Sequence, residues 1–434
     1  MGFVRQKSNA VARFVDDKPL WISCLVIFIL CAGIRVALII VQQQYENFEY
    51  PEPIKIAHSI AKTGVFGNPF RVPTGPTAHT PPFVPFLLSF VYRYFSPGEH
   101  TELVQEFLST AVCSLQYALL PVAAVLFGWP ARVGIFAGLF GALIPFRFWL
   151  ETKGTFEQVY AALALLLVTM MTAKAWRSGR LGIASGVLQG AAWALVFHIS
   201  ASFLPICVAM MAVYGVVLWP HKFPAYARFS VAMGVTILLL LVPWTLRNYE
   251  QFGKIFFMRD NLGLELAVSN SDDASPLFDQ NIQAPSYRHP HGSRTEALKV
   301  LEMGEIAYNQ TRMQEAKAWI KMHPGRFLQL TLERVFYFWF PPMQRMWQSA
   351  IYALITVLGF AGTWAALRRK QMAVWLIISI WLTFPLIYYV IESYARYRYP
   401  MDWTFLLMGS YGLVVWLMGE SSIDQKQWLA GRAS

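Results

Sequence analysis

At 434 residues, 56% of them hydrophobic and only 14% charged, the chain has a mean hydropathy of +0.41 and a formal net charge of +11. That excludes a soluble globular protein of this length and indicates an all-α polytopic membrane protein. The basic residues are scattered among loops rather than gathered on one face, which argues against nucleic acid and suits a surface beside anionic lipid.

Residues 1–19 are polar, and Arg5, Lys7, Arg13 and Lys18 place them in the cytoplasm by the positive-inside rule. The first apolar run, residues 20–41, is too long for a signal peptide and lacks a small-residue cleavage site, so it is expected to stay as an anchor. Further apolar stretches are centred on residues 103–127, 131–150, 157–173, 181–198, 200–218, 229–246, 347–367, 372–391 and 401–418. Each suffices to cross ~30 Å of hydrocarbon as a helix, and the expected number of spans is about ten. Residues 83–95 are apolar but short, open with Pro81-Pro82 and carry Arg93, which suits a re-entrant or interfacial helix. If they do not cross, the loops with Lys174, Arg177 and Arg180, with Lys222 and Arg228, and with Arg368, Arg369 and Lys370 all lie in the cytoplasm, as do both termini.

Two long loops then face outward, residues 42–102 and 247–346. They divide the chain into an N-terminal membrane module (1–246) with a first outer loop, a large outer loop, and a C-terminal membrane segment with a cytoplasmic tail (347–434). In the large loop, residues 294–321 read as one helix opened by a capping box from Ser293 to Glu296 and closed by His323-Pro324-Gly325. Residues 327–340 (FLQLTLERVFYFWF) are aromatic and amphipathic, as in an interfacial helix. Cys24, Cys31, Cys113 and Cys207 lie inside apolar segments without CxxC spacing, which gives no disulfide or zinc framework.

Residues 45–85 are the first part of the chain to leave the bilayer. They pack Glu46, Glu49 and Glu52 into seven residues, followed by an amphipathic stretch and a Gly-Pro-rich run ending in TAHTPP. Polar chemistry beside a hydrocarbon slab is costly to keep for structure alone, so this loop is the candidate floor of an active site.

Five stretches resemble a known family: EPIKIAHSIAKTGVFGNPF (52–70), PTGPTAHTPPFVPFL (73–87), VPWTLRNYEQFGKIFFMRDNLGLELAVSN (242–270), GEIAYNQTRMQEAKAWIKMHPGRFLQLTLERVFYFW (304–339) and ARYRYP (395–400). In content and order they are similar to polytopic glycosyltransferases of the C superfamily, whose relatives include protein O-mannosyltransferases and the aminoarabinose transferases of lipid A. The resemblance implies an inner-membrane enzyme that moves a sugar from a polyprenyl-phosphate donor to an acceptor glycan, lipid or protein, with its site on the periplasmic face. Many members carry Asp-Glu just after the first span. Here Glu52 matches a single-glutamate variant of that motif, and Glu49 sits nearer the Asp-Glu register, so both stand as candidates for the general base.

A third acid, Glu157, begins a span at the same face, where an acid is favourable at a helix N-terminus in any case. Arg247, Arg396 and Arg398 lie at the outer ends of spans, where positive charge is depleted, and their forks suit the donor's phosphate. His79, in TAHTPP, is a candidate wall of the sugar pocket. No cofactor is called for: His289 and His291 hint at a metal with Asp272 and Asp273, but the spacing fits no ligand motif. The rival readings are an oligosaccharide ligase or polymerase using a lipid diphosphate, and a secondary transporter. A transporter favours ionisable residues near the bilayer midplane and internal repeats; here acids and arginines gather at one end of the spans and no repeat is visible.

Overall fold

The computed structural model describes residues 19–43, 50–95, 99–144, 148–179, 181–219 and 222–418. Among these residues the secondary structure is helical, with only two isolated bridges, Gly67 to Pro76 and Leu277 to Ser393. Six helices are long and apolar enough to cross a bilayer: Leu20–Gln42, Thr101–Leu126, Gln158–Ser178, Ala201–Leu218, Phe223–Phe252 and Met346–Arg368. Ala131–Leu143, Ile183–Ile199 and Val374–Tyr389 are shorter and apolar, and Ala395–Met418 completes the bundle. The chain is a multi-pass membrane protein. One apolar core joins residues from both ends of the sequence, such as Ile27, Cys31, Trp403 and Met408.

Packing inside hydrocarbon relies on close approach of backbones, since apolar surface gains little by leaving lipid. Met346–Arg368 and Ala395–Met418 pack along each other, and a Cβ at Gly362 would lie 1.8 Å from the Met408 carbonyl. Only glycine fits there.

Outside the bundle, the helix Glu52–Thr63 buries Ile54, Ile56, Ala57 and Ile60, and packs on the short helix Phe83–Tyr94. The large loop has a small core of its own, in which Phe70 from the first loop meets Leu264, Val268, Ala297, Val300 and Tyr308. The first long loop and the large loop therefore share a core.

Several element boundaries differ from those read in the sequence. The expected single helix over 294–321 is two, Arg294–Met303 and Glu305–Met322, because Gly304 takes φ 84°, outside the helical region. The Ser293 cap is present, with its hydroxyl accepting from the Glu296 N–H at 3.3 Å. The apolar stretch over 131–150 yields a helix ending at Leu143 and a separate short helix, Phe148–Lys153; Ile144, which precedes a proline, leaves the helical region. The last span begins at Ala395, so Arg396 and Arg398 lie in its first turn rather than in a preceding loop.

The first span holds a charge that the sequence reading passed over. Arg35 is fully buried and pairs with Glu151 at 2.8 Å. It also donates to the Gly141 and Ala142 carbonyls, both at 3.0 Å, and Glu151 accepts from the Tyr117 hydroxyl at 2.8 Å. The ion pair thus fastens the first span to the end of Ala131–Leu143 and to the short helix after it. Removing one partner strands the other in low dielectric, at a cost of about 3–5 kcal/mol. Arg35→Ala and Glu151→Ala are each expected to lower the thermal midpoint in detergent strongly. The double change Arg35→Met with Glu151→Leu should recover much of the loss. Equal midpoints for wild type and both single variants would contradict this.

Candidate active site

The loop that carries His79 is held from two sides. Arg247 donates to the Phe66 carbonyl at 2.9 Å and the Thr77 carbonyl at 2.8 Å, and stands beside the rings of Phe66, Trp244 and Phe252. From the large loop, Glu305 accepts from the Thr77 hydroxyl at 2.5 Å and the Ala78 N–H at 2.7 Å. Burial pushes the Glu305 carboxyl up to about 7, although these two bonds and Arg247 pull the other way. Arg71 ties the same loop to the turn at His289–Gly292, donating to the Gly292 carbonyl at 2.7 Å.

This bracing brings together Glu52, His79 and His289, each offering one ligand atom with all three atoms within 4.8 Å of one another. His291 adds its Nδ1 at 3.4 Å from a Glu52 oxygen. Burial favours a neutral Glu52, but the imidazoles of His291, His289 and His79 outweigh it and hold the carboxyl well below the usual carboxylate range. Burial also pushes His79 down to about 3, so it is a neutral imidazole at physiological pH. Asp272 and Asp273 do not join these histidines and have other partners. Asp273 accepts from the Ser286 N–H at 3.1 Å, and Asp272 accepts from the Trp319 indole at 2.7 Å.

A second group adjoins this one through Arg259. Arg259 lies within electrostatic reach of both His79 and Tyr388, and its Nε donates to Asn261 at 2.7 Å. Glu157 and Arg396 also act on Tyr388, and Glu157 acts on Arg396. The guanidinium of Arg396 stacks 3.7 Å above the Phe156 ring and stands among Phe278, Tyr394 and Tyr397. Its Nε has no hydrogen-bond partner among the described residues. A cation fixed by aromatic faces, near an acid and without a salt bridge among the described residues, is prepared for an anionic guest.

The arginines singled out in the sequence have different surroundings. Arg398 is buried, pairs with Asp402 at 3.0 Å and donates to the Thr356 hydroxyl at 2.8 Å and to the Trp339 carbonyl. Arg247 braces the first loop, as described. Of the acids, Glu52 faces histidines, Glu157 lies within electrostatic reach of Arg396, as do Asp279 and Glu392, and Glu46 and Glu49 lie outside the described residues. Sequence reasoning passed over Arg259, Tyr388 and Glu305; only their position inside or beside the matched stretches could have drawn attention to them.

No protein-family model matches the chain, and no curated protein matches it. Solved structures do. The chain is similar to the oligosaccharyltransferase AglB of Archaeoglobus fulgidus in complex with an inhibitory peptide and a dolichol-phosphate, with a TM-score of 0.56 and 14% identity over 94% of this chain and 54% of that one. The apo form gives a TM-score of 0.55 and 16% identity over 94% and 54%; a form tethered to an acceptor peptide gives 0.54 and 14% over 94% and 53%. The chain spans about half the length of these structures. The chain shares the fold of these oligosaccharyltransferases, the all-α polytopic fold that its sequence led us to expect.

Proposed function

We propose that this protein is a membrane glycosyltransferase that moves a sugar from a polyprenyl-phosphate donor to an acceptor hydroxyl. The observation that carries the reading is Arg396, caged by rings within electrostatic reach of Glu157 in a bundle with this fold. Its fork receives the donor's phosphate while the lipid tail stays in the bilayer. The acceptor oxygen attacks the anomeric carbon, the bond from that carbon to the phosphate oxygen breaks, and the acceptor's proton passes to a carboxylate. The phosphate leaves as a stable anion, so the reaction needs a base and hardly an acid. We assign the base to Glu157, which lies within electrostatic reach of the arginine assigned to the phosphate, in preference to Glu52, whose carboxylate faces imidazoles. Direct attack inverts the anomeric carbon.

The reading puts the site on the outer face, and the distribution of basic residues supports it. Lys174, Arg177, Lys222, Arg228, Arg368, Arg369 and Lys370 gather at or beside the ends of spans, and positive residues mark the cytoplasmic side.

The reading is tested by incubating the purified protein with polyprenyl-monophosphate sugars and, separately, with polyprenyl-diphosphate oligosaccharides. The expected result is release of polyprenyl phosphate from the first set only. Consumption of the diphosphates alone would make it a ligase or polymerase, and solute flux in vesicles without any transfer would make it a transporter.

A further inference from the structure

We propose that Arg334 is a positioning residue for the phosphate site: it fixes residues 390–393, and through them the ring cage that holds Arg396. The proposal rests on the assignment of the donor's phosphate to Arg396. It extends that assignment to the large outer loop, which then sets the geometry of a site on the last span.

Residues 390–393 link the helical turns Phe384–Tyr389 to the last span, Ala395–Met418, and form no helix of their own. Ile391, Glu392 and Ser393 are buried. Irregular backbone that leaves water must find hydrogen-bond partners elsewhere. Here the large loop supplies them. The Val390 carbonyl accepts from the Asn270 amide at 3.0 Å and from Arg334 at 3.1 Å. The Glu392 N–H donates to the Ser269 hydroxyl at 2.9 Å, and the Glu392 carboxyl accepts from the Asn281 amide at 2.5 Å. The Ser393 N–H donates to the Pro276 carbonyl at 2.7 Å, and its carbonyl accepts from the Phe278 N–H at 3.0 Å.

Arg334 stands at the centre of this junction. It comes from the helix Pro324–Trp339, is fully buried, and forms no salt bridge among the described residues. Glu392 lies within electrostatic reach but does not pair with it. The guanidinium instead donates to the Asn270 side-chain oxygen at 3.0 Å, to the Ser269 carbonyl and to the Val390 carbonyl. One planar group thus clamps residues 269–270 to residue 390, which a single ammonium cannot do. The clamp leads straight to the cage. Phe278, whose N–H is paired with Ser393, and Tyr394, the next residue, have rings 4.7 Å apart. Both face the Arg396 guanidinium, at 5.9 Å and 5.0 Å. A shift of residues 390–393 therefore moves two walls of the cage together with the turn that carries Arg396.

The test uses the full-length protein in detergent, isotope-labelled at arginine, with the Arg396 side-chain NMR resonance assigned by its loss in Arg396→Lys. Arg334→Lys keeps the charge but lacks the fork, and it should move the Arg396 resonance. So should Ser269→Ala, a small change that removes only the acceptor of the Glu392 N–H and tests the junction even where Arg334→Lys does not fold. Arg312→Lys, in the same loop but paired with Glu315, should leave the resonance in place. Titration with a polyprenyl-phosphate sugar should show donor affinity lower by about 5–30-fold in Arg334→Lys, the factor carried by one or two lost hydrogen bonds. In an Arg396→Ala background the same change should have little further effect, because residues that act through one another are not additive. An Arg396 resonance unmoved in both Arg334→Lys and Ser269→Ala would overturn the proposal, as would an equal loss of affinity with and without Arg396. A wild type that binds no donor would instead refute the phosphate assignment, and the resonance would still decide whether Arg334 sets Arg396.

Discussion

Replacing Glu157 with glutamine is expected to lower turnover by about 10²–10⁴-fold, the usual worth of general base catalysis. Donor affinity and folding should stay near wild type. Glutamine keeps the size and most hydrogen bonding of the side chain but cannot take a proton from the acceptor. The structural cost is small for a stated reason. Glu157 caps the helix Gln158–Ser178, no side-chain cap bond is present, and its backbone carbonyl still accepts from the Ala161 N–H at 2.7 Å. What the helix loses is the attraction of an acid to its N-terminus, about 0.3–1 kcal/mol. An acid that served only the helix end would show that small loss of stability and unchanged turnover. Steady-state rates together with a thermal midpoint separate the two outcomes. Should Glu157→Gln turn over normally while Glu52→Gln is inactive and still binds donor, the base is Glu52, as the family resemblance first indicated.

Arg396→Ala is expected to weaken donor binding by about 1.5–3 kcal/mol, the scale of a hydrogen bond to a charged group, measured by titration with a polyprenyl-phosphate sugar. Arg396→Lys should recover only part of this, because an ammonium lacks the planar fork that meets two phosphate oxygens. Arg398→Ala should behave differently. It strands Asp402, which also accepts from the Tyr352 hydroxyl, so the damage should appear as a lowered thermal midpoint. Loss of donor affinity in a fully stable Arg398→Ala, with none in Arg396→Ala, would exchange the roles of the two residues.

What could be read in the sequence and what could not divides along physical lines. Span-length apolar runs report burial in lipid directly, so the bundle was legible from hydropathy alone. So was the short helix Phe83–Tyr94, which is too short to cross upright and instead packs on Glu52–Thr63. The Ser293 cap was legible because its partner is three residues away. The break at Gly304 was not, since a glycine inside a helical pattern is tolerated as often as it interrupts. Least visible were the contacts across the fold. Arg35 and Glu151 are 116 residues apart, and His289 reaches Glu52 and His79 only because Arg71 and Glu305 bind the two outer loops together. No local spacing encodes such meetings. The arginines at 396 and 398 show the same limit: both stand in the first turn of the last span, and only packing sends one against Asp402 and the other among rings.

The most direct test is to image the protein with a polyprenyl-phosphate sugar bound. The phosphate should lie within hydrogen-bond distance of the Arg396 guanidinium, with the anomeric carbon facing the Glu157 carboxylate and the lipid tail running into the bundle's hydrocarbon surface. A phosphate bound elsewhere, with Arg396 still closed in by Phe156 and Tyr394 and no contact to the lipid, would contradict the account.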